Sequence, residues 1–161
     1  MPPTRRSETL RLTEFRLELP LLAQAALHPG VSEIWRIVIH YSTGDHPDQA
    51  ADLAIGLSTQ PSAALSISYR RTAERPTILS LTIPAARARA FAGGLRALGF
   101  DRLEDMPAIP WRDADLWLIG RGAGTFSRDL VLAPATATGI YARIVSVVQV
   151  HLHEAIRPGS G

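Results

Sequence analysis

The sequence has no cysteine, no lysine and no asparagine among its 161 residues. The absence of cysteine excludes disulfides, cysteine nucleophiles, thiolate zinc sites and iron–sulfur clusters. The absence of lysine makes arginine the source of all 17 basic side chains. Because lysine and asparagine have AT-rich codons, we interpret this composition as that of a GC-rich genome of bacterial type rather than as a sign of phosphate binding.

Long apolar runs are also missing. Charged residues such as Arg11 and Glu14 interrupt the apolar residues near the N-terminus, where a signal peptide needs an uninterrupted apolar region. No run approaches the ~20 apolar residues that cross a bilayer. With 46% hydrophobic and 20% charged residues, the chain is expected to be a cytoplasmic globular protein without a membrane segment. We expect one domain over residues 8–157, with flexible tails at 1–7 and 158–161.

Alternation of apolar and polar residues dominates the first part of the chain, and this pattern is typical of strands. Phe15, Leu17 and Leu19 alternate with charged residues, which predicts a half-buried strand. Leu residues before it fall in the opposite phase, so a bulge is expected near Thr13 or Glu14. Residues 34–41 are β-branched or aromatic and apolar on both faces, which predicts a central strand.

Further strands are predicted after short turns, at residues 53–57, 65–69 and 78–83. Short strands joined by short turns indicate an antiparallel meander. Two more strands, at 116–119 and 125–132, flank a run of glycines. Because a strand rather than a helix follows this run, we interpret it as a hairpin turn and not as a phosphate-binding loop.

Two segments have helical periodicity. Residues 84–98 begin with a proline, end before Gly99 and contain Gly93-Gly94, which predicts either a bend or an unusually close packing contact. Residues 138–155 carry an apolar stripe at helical spacing. The predicted fold class is therefore α+β, with a mostly antiparallel sheet formed by a meander plus a C-terminal hairpin, and with two main helices packed on one face.

This order of elements is similar to that of small secretion-chaperone-like domains, which bind protein partners and often form dimers. No G-x-S-x-G, H-E-x-x-H or P-loop pattern occurs. We therefore expect a non-enzymatic protein-interaction module of the adaptor, chaperone-like or immunity type, which binds through a sheet face or edge together with the acidic loop at 101–115. The expected partner is an unknown protein or a second copy of the chain, and no cofactor is expected.

A nucleic-acid-binding domain is a second hypothesis. Residues 70–102 hold seven arginines against two acidic residues, and such a basic segment can meet phosphates. The shortage of exposed aromatic residues for stacking on bases weighs against it. The arginines that would bind the phosphates are Arg70, Arg71, Arg75, Arg89 and Arg96.

A metal or small-ligand site is a third hypothesis, in the polar segment that follows the central strand. Imidazole and carboxylate groups there are suitable ligands for a divalent cation. Asp, Gly and Pro are also the residues that a turn requires, so turn formation is the competing interpretation. The candidate ligands are His40, Asp45, His46 and Asp48.

Overall fold

The structure, a computed structural model, describes residues 5–56, 61–71, 75–110 and 112–158. The helices are α1 (Arg5–Arg16), α2 (Leu22–Ala25), α3 (Ala85–Ala97) and α4 (Gly139–His151). The strands are β1 (Val31–His40), β2 (Gln49–Gly56), β3 (Ser62–Tyr69), β4 (Thr77–Pro84), β5 (Leu116–Ala123) and β6 (Phe126–Leu132). Residues 1–4 and 159–161 of the expected tails, and Leu57 of an expected strand, lie outside the described residues.

All six strands form one antiparallel sheet in the order β4-β3-β2-β1-β5-β6. The strands β1 to β4 are the predicted meander, and β5 with β6 is the predicted C-terminal hairpin. The hairpin turns at Gly124, whose φ of 56° lies in the left-handed region that favours glycine. The strand predicted as central, β1, pairs with β2 on one side and β5 on the other, which confirms its place.

Helices pack on both faces of the sheet. Neighbouring residues of a strand point to opposite faces, and Trp35 of β1 meets the ring of Phe91 in α3 with centroids 5.5 Å apart. The next residue, Arg36, contacts Glu14 of α1 instead. The predicted α+β class is confirmed, with α3 and α4 packed on one face. The other face carries α1 and α2, which the sequence did not predict as a layer.

The strand predicted around Phe15 is wrong, because this segment is part of α1. The buried residues Leu10, Thr13 and Leu17 are spaced three and four apart, which is the period of a helix face. Phe15, predicted to face the core, is exposed. The period was hidden because the middle buried position is a polar threonine, whose hydroxyl donates a hydrogen bond to Asp48 at 3.0 Å.

The close contact predicted at Gly93-Gly94 lies between the helices of one face. A Cβ atom at Gly94 would stand 3.1 Å from Val147 Cγ1 of α4, so glycine permits the two helices to approach. Across the part of the chain that the structure describes, no helix combines the length and apolar character needed to span a membrane.

Gly122 of β5 has the same role for the short helix α2. A Cβ atom there would lie 2.9 Å from the Cβ of Ala26, and this methyl group cannot rotate away. We predict that Gly122→Ala lowers the free energy of unfolding by about 1–3 kcal/mol, as overpacking does. Urea unfolding measures the change. Ala26→Gly should recover part of the loss in the double variant, whereas a purely additive double variant would contradict the proposed contact.

Candidate functional site

The polar segment after β1 forms a hydrogen-bonded cluster around Asp48. The Nδ1 of His40 donates to Oδ2 of Asp48 at 2.8 Å. The hydroxyl of Thr13 donates to the same oxygen, and the amide of Tyr41 donates to Oδ1 at 3.1 Å. Asp48 therefore ties the end of β1 to helix α1, and both of its oxygens accept hydrogen bonds.

This cluster shifts the pKa values of its two ionisable members. The hydrogen bond from His40 to Asp48 raises the pKa of His40 above its ordinary 6.5, with smaller help from the charges of Asp48 and Asp115 and against the effect of burial. Burial alone would raise the pKa of Asp48, but the hydrogen bonds from His40, Tyr41 and Thr13 outweigh it, and the pKa falls below its ordinary 3.8. The pair is thus ionised over a widened pH range.

We predict a pH-dependent contribution of this pair to stability. The contribution of His40 is fully present below its unfolded pKa of about 6.5 and is lost as the pH rises through the higher folded value. The contribution of Asp48 is lost as the pH falls through its lowered pKa. His40→Gln should therefore cost about 0.5–1 kcal/mol near pH 5.5, a magnitude limited by solvent screening, and less near pH 8.5. Urea unfolding across this range tests the prediction.

His46→Gln is the matched control, because the His46 ring packs against Tyr41, with centroids 5.5 Å apart, rather than against Asp48. The control keeps the hydrogen bond between His40 and Asp48, so the pH-dependent contribution of that pair should persist in it. A constant difference between His40→Gln and the wild type from pH 5.5 to 8.5 would contradict the assigned role.

The four residues considered as metal ligands do not converge. His40 and Asp48 are hydrogen-bonded to each other, whereas His46 contacts Tyr41 and the exposed Asp45 directs its amide to the Thr43 hydroxyl. Among the residues that the structure describes, no group of three His, Asp or Glu side chains is placed to hold a metal ion.

A cavity of about 380 Å³ lies beside this cluster, between the C-terminal end of α1 and the end of β3. The Nη1 of Arg70 donates to the main-chain carbonyl of Arg16 at 3.2 Å, and the guanidinium of Arg71 lies 5.9 Å from the ring centroid of Tyr69. The hydrogen bond of Arg70 links the end of β3 to the end of α1, and the contact of Arg71 lies within the end of β3. The residues that line it are Thr13, Arg16, Leu17, Asp48, Arg70 and Arg71.

The five arginines of the nucleic-acid hypothesis do not form one compact cluster. Arg70 and Arg71 follow Tyr69, which pairs with Gln49 and through it with Ile39 near the end of β1. Arg96 instead donates to Glu33, near the start of β1, at 2.6 Å. Glu33 and Ile39 lie six residues apart along β1, so Arg96 is separated from Arg70 and Arg71 by about 20 Å in the strand direction. Arg75 precedes β4 and Arg89 lies on α3, both exposed.

No pattern in the sequence indicated the network that surrounds Glu33. Its carboxylate accepts hydrogen bonds from Trp35 Nε1 at 2.5 Å and from Arg96 at 2.6 Å. Arg121 of β5 pairs with Asp101 at 2.9 Å and lies 5.8 Å from the Trp35 ring centroid. The partners come from separate elements, so their spacing along the chain carries no signal. Their contacts join β1, α3 and β5.

The acidic loop is held against the protein by its own carboxylates. Asp105 accepts a hydrogen bond from the Val131 amide at 2.8 Å, and the Met106 amide donates to the Val131 carbonyl at 2.9 Å. Asp115 accepts from the amide and the hydroxyl of Ser42. The contacts at Val131 cover part of the outer edge of β6, at one end of the sheet.

The opposite end of the sheet is β4, and it is the most exposed strand. Of its eight residues only Ile83 is buried. The exposed large apolar side chains on it are Ile78, Leu79 and Leu81, which are 62%, 46% and 41% exposed. Residues 76–86 carry no charge. The alternating pattern predicted this strand correctly, but its edge position was not predicted.

No protein-family model and no curated protein sequence matches this chain. The candidates for function are therefore two features of the structure itself. They are the apolar edge formed by β4 and the arginine-lined cavity at the end of α1.

Proposed function

We propose that the chain is a non-enzymatic protein-interaction module that binds through the open edge of β4, and that the strand which pairs with it is β4 of a second copy. The observation that carries the proposal is the exposure of Ile78, Leu79 and Leu81 on the terminal strand of the sheet. An apolar strand edge presents both main-chain hydrogen-bonding groups and apolar side chains to a partner strand.

The backbone groups available for pairing follow from the register between β3 and β4. The Ala85 amide donates to the Pro61 carbonyl at 3.0 Å, which continues the β3–β4 ladder. Hydrogen bonding alternates along an antiparallel pair, so the odd-numbered residues of β4 bond to β3. Ile78, Ser80 and Thr82 consequently direct their amide and carbonyl groups away from the sheet.

The strand is self-complementary about Ser80. In an antiparallel pair of copies centred there, Ser80 faces Ser80 of the second copy, and Ile78 faces Thr82 of the second copy. The three outward residues then form about six hydrogen bonds between the copies. A register displaced toward the C-terminal end would use Pro84, which has no amide hydrogen. A symmetric interface of this kind is the commonest form of homodimer.

The side chains support the same arrangement. Leu79 and Leu81 pair with Ile67 and Leu65 of β3 on the core face of the sheet, and both β3 residues are buried. In the pair of copies, Leu79 would face Leu81 of the second copy, so that the core would extend across the interface. Because residues 76–86 are uncharged, the twofold axis brings no like charges together.

The two ends of the sheet differ in a way that favours this role for β4. Proteins usually protect an edge strand with charges, proline, a bulge or a covering loop. At β6 the acidic loop covers the main chain at Val131, and Arg128 donates to the Leu103 carbonyl at 2.6 Å. In β4 the only proline is the last residue, Pro84.

Light scattering coupled to size-exclusion chromatography tests the proposal. A dimer has twice the chain mass of 17.5 kDa, and we expect it at ~100 μM, with dissociation on dilution by mass action. A constant monomer mass at this concentration would overturn the proposal. A monomer that binds a strand of a different protein would also overturn the proposal, because the partner would then not be a second copy.

A further inference from the structure

We infer that the cavity between α1 and the end of β3 binds a small dianionic oxyanion, of the kind presented by the phosphate group of a phosphorylated metabolite. Three arginine residues line the cavity, Arg16, Arg70 and Arg71. Guanidinium groups match the geometry of phosphate oxygens and bind them through paired hydrogen bonds. None of the described lining residues belongs to β4.

The charge balance of the lining favours an anion. Asp48 is the one carboxylate among the lining residues that the structure describes, and its oxygens accept hydrogen bonds from His40, Thr13 and the Tyr41 amide. Its charge is further offset by His40, whose raised pKa favours the protonated form. The described lining therefore holds three arginine residues and one carboxylate, and this carboxylate already has hydrogen-bond partners inside the protein.

Two of the three arginines have side-chain contacts within the protein. Arg70 is bonded to the Arg16 carbonyl, and Arg71 stacks near the Tyr69 ring. A guanidinium carries five N–H donors in one rigid plane, so one side chain can hold a protein contact and an anion together. Ordering these side chains before the ligand arrives lowers the entropic cost of binding.

The cavity suits a small molecule better than a nucleic acid. Its volume of about 380 Å³ falls within the range of small-ligand sites, about 300–1,000 Å³, and Leu17 provides an apolar wall. A nucleic acid needs a basic track along which successive phosphates can lie. Arg96 does not extend such a track, because it is paired with Glu33 near the other end of β1.

Isothermal titration with inorganic phosphate and with a sugar monophosphate tests the inference, with sodium chloride at equal ionic strength as the blank. We expect phosphate to bind with a Kd on the order of 1 mM and the sugar monophosphate at least as tightly. Arg71→Gln and Arg16→Gln should each weaken binding at least about tenfold, as loss of a charge-assisted hydrogen bond does. Arg143→Gln, on the exposed side of α4, should leave it unchanged.

Chemical shifts of the full-length protein provide a readout that does not depend on a variant. Phosphate should shift the amide signals of Thr13, Leu17, Asp48 and Arg71 first. Absence of heat and shifts up to ~20 mM phosphate would overturn the inference, and so would equal binding by Arg71→Gln and Arg143→Gln. Tighter and strongly salt-dependent binding of a single-stranded oligonucleotide would also overturn it, in favour of nucleic acid.

Discussion

Replacing Arg36 with Met is expected to lower the free energy of unfolding by about 3–5 kcal/mol, the usual cost of removing one partner of a buried ion pair. Arg36 is a residue of β1 and is 2% exposed, and its side chain contacts Glu14 of helix α1. Its Nε and Nη2 donate to the two oxygens of Asp52 at 2.7 and 2.9 Å, and Nη1 donates to the Pro20 carbonyl at 2.8 Å. Urea unfolding at neutral pH measures the loss.

The pH dependence of this loss separates an electrostatic cause from a packing defect. Burial raises the pKa of Glu14, and Arg36, 3.3 Å away, opposes the rise. Without Arg36 the pKa of Glu14 should rise further, and a raised acid pKa destabilises the folded state above that pKa. The loss should therefore be larger at pH 8 than at pH 5.

A double variant provides the control. The substitutions Arg36→Met and Asp52→Leu together remove both charges of the bidentate pair. Replacing a buried ion pair by apolar residues often changes the free energy of unfolding little. Arg36→Met combined with Asp52→Leu should therefore be more stable than Arg36→Met alone. A loss below about 1 kcal/mol in the single variant, with no dependence on pH, would contradict the assigned role of the ion pair.

Ser80→Pro is expected to dissociate the proposed dimer without unfolding the chain. Proline removes the outward amide at the centre of the interface, and twofold symmetry removes two hydrogen bonds at once. At about 1–1.5 kcal/mol each, the dissociation constant should rise by about two orders of magnitude. Sedimentation velocity on a concentration series measures the change.

The fold should survive this substitution because proline is tolerated on an edge strand where the amide faces outward. Circular dichroism and urea unfolding of the monomer check this. Ser80→Thr, which keeps the amide and favours a strand, is the matched control and should remain dimeric. A Ser80→Pro variant with the wild-type dissociation constant would show that β4 is not the interface.

The elements that the sequence predicted are those whose periodicity is complete within one segment. Most residues of β1 are apolar on both faces, and α4 carries a long apolar stripe, so the pattern of each element is visible within its own segment. In α1 the middle buried position is the polar Thr13, whose hydroxyl lies 3.2 Å from the Thr9 carbonyl and donates a hydrogen bond to Asp48, 35 residues away. The local alternation at Phe15 therefore indicated a strand where tertiary contacts stabilise a helix.

The candidate sites were only partly predictable for the same reason. His40 and Asp48 lie eight residues apart, and the sequence indicated that they are close. The arginines of the cavity come from α1 and from the end of β3, and nothing local joins them. Similarly, the pattern of β4 predicted a strand, but its edge position depends on the order of strands in the whole sheet.

Disulfide formation by Ser80→Cys tests the pairing of two β4 edges most directly, because the natural sequence has no cysteine and the new thiol has no other partner in its own chain. At the centre of the predicted register the two Cα atoms would lie about 5.5 Å apart, within the range of a disulfide. Ser66→Cys is the control: Ser66 is the β3 partner of Ser80, and three strand spacings, about 14 Å, would separate its two copies.

Under mild oxidation, Ser80→Cys should form a disulfide-linked dimer rapidly, and Ser66→Cys should remain monomeric on a non-reducing gel. Equal rates of cross-linking in the two variants, or none in Ser80→Cys, would contradict the proposed interface.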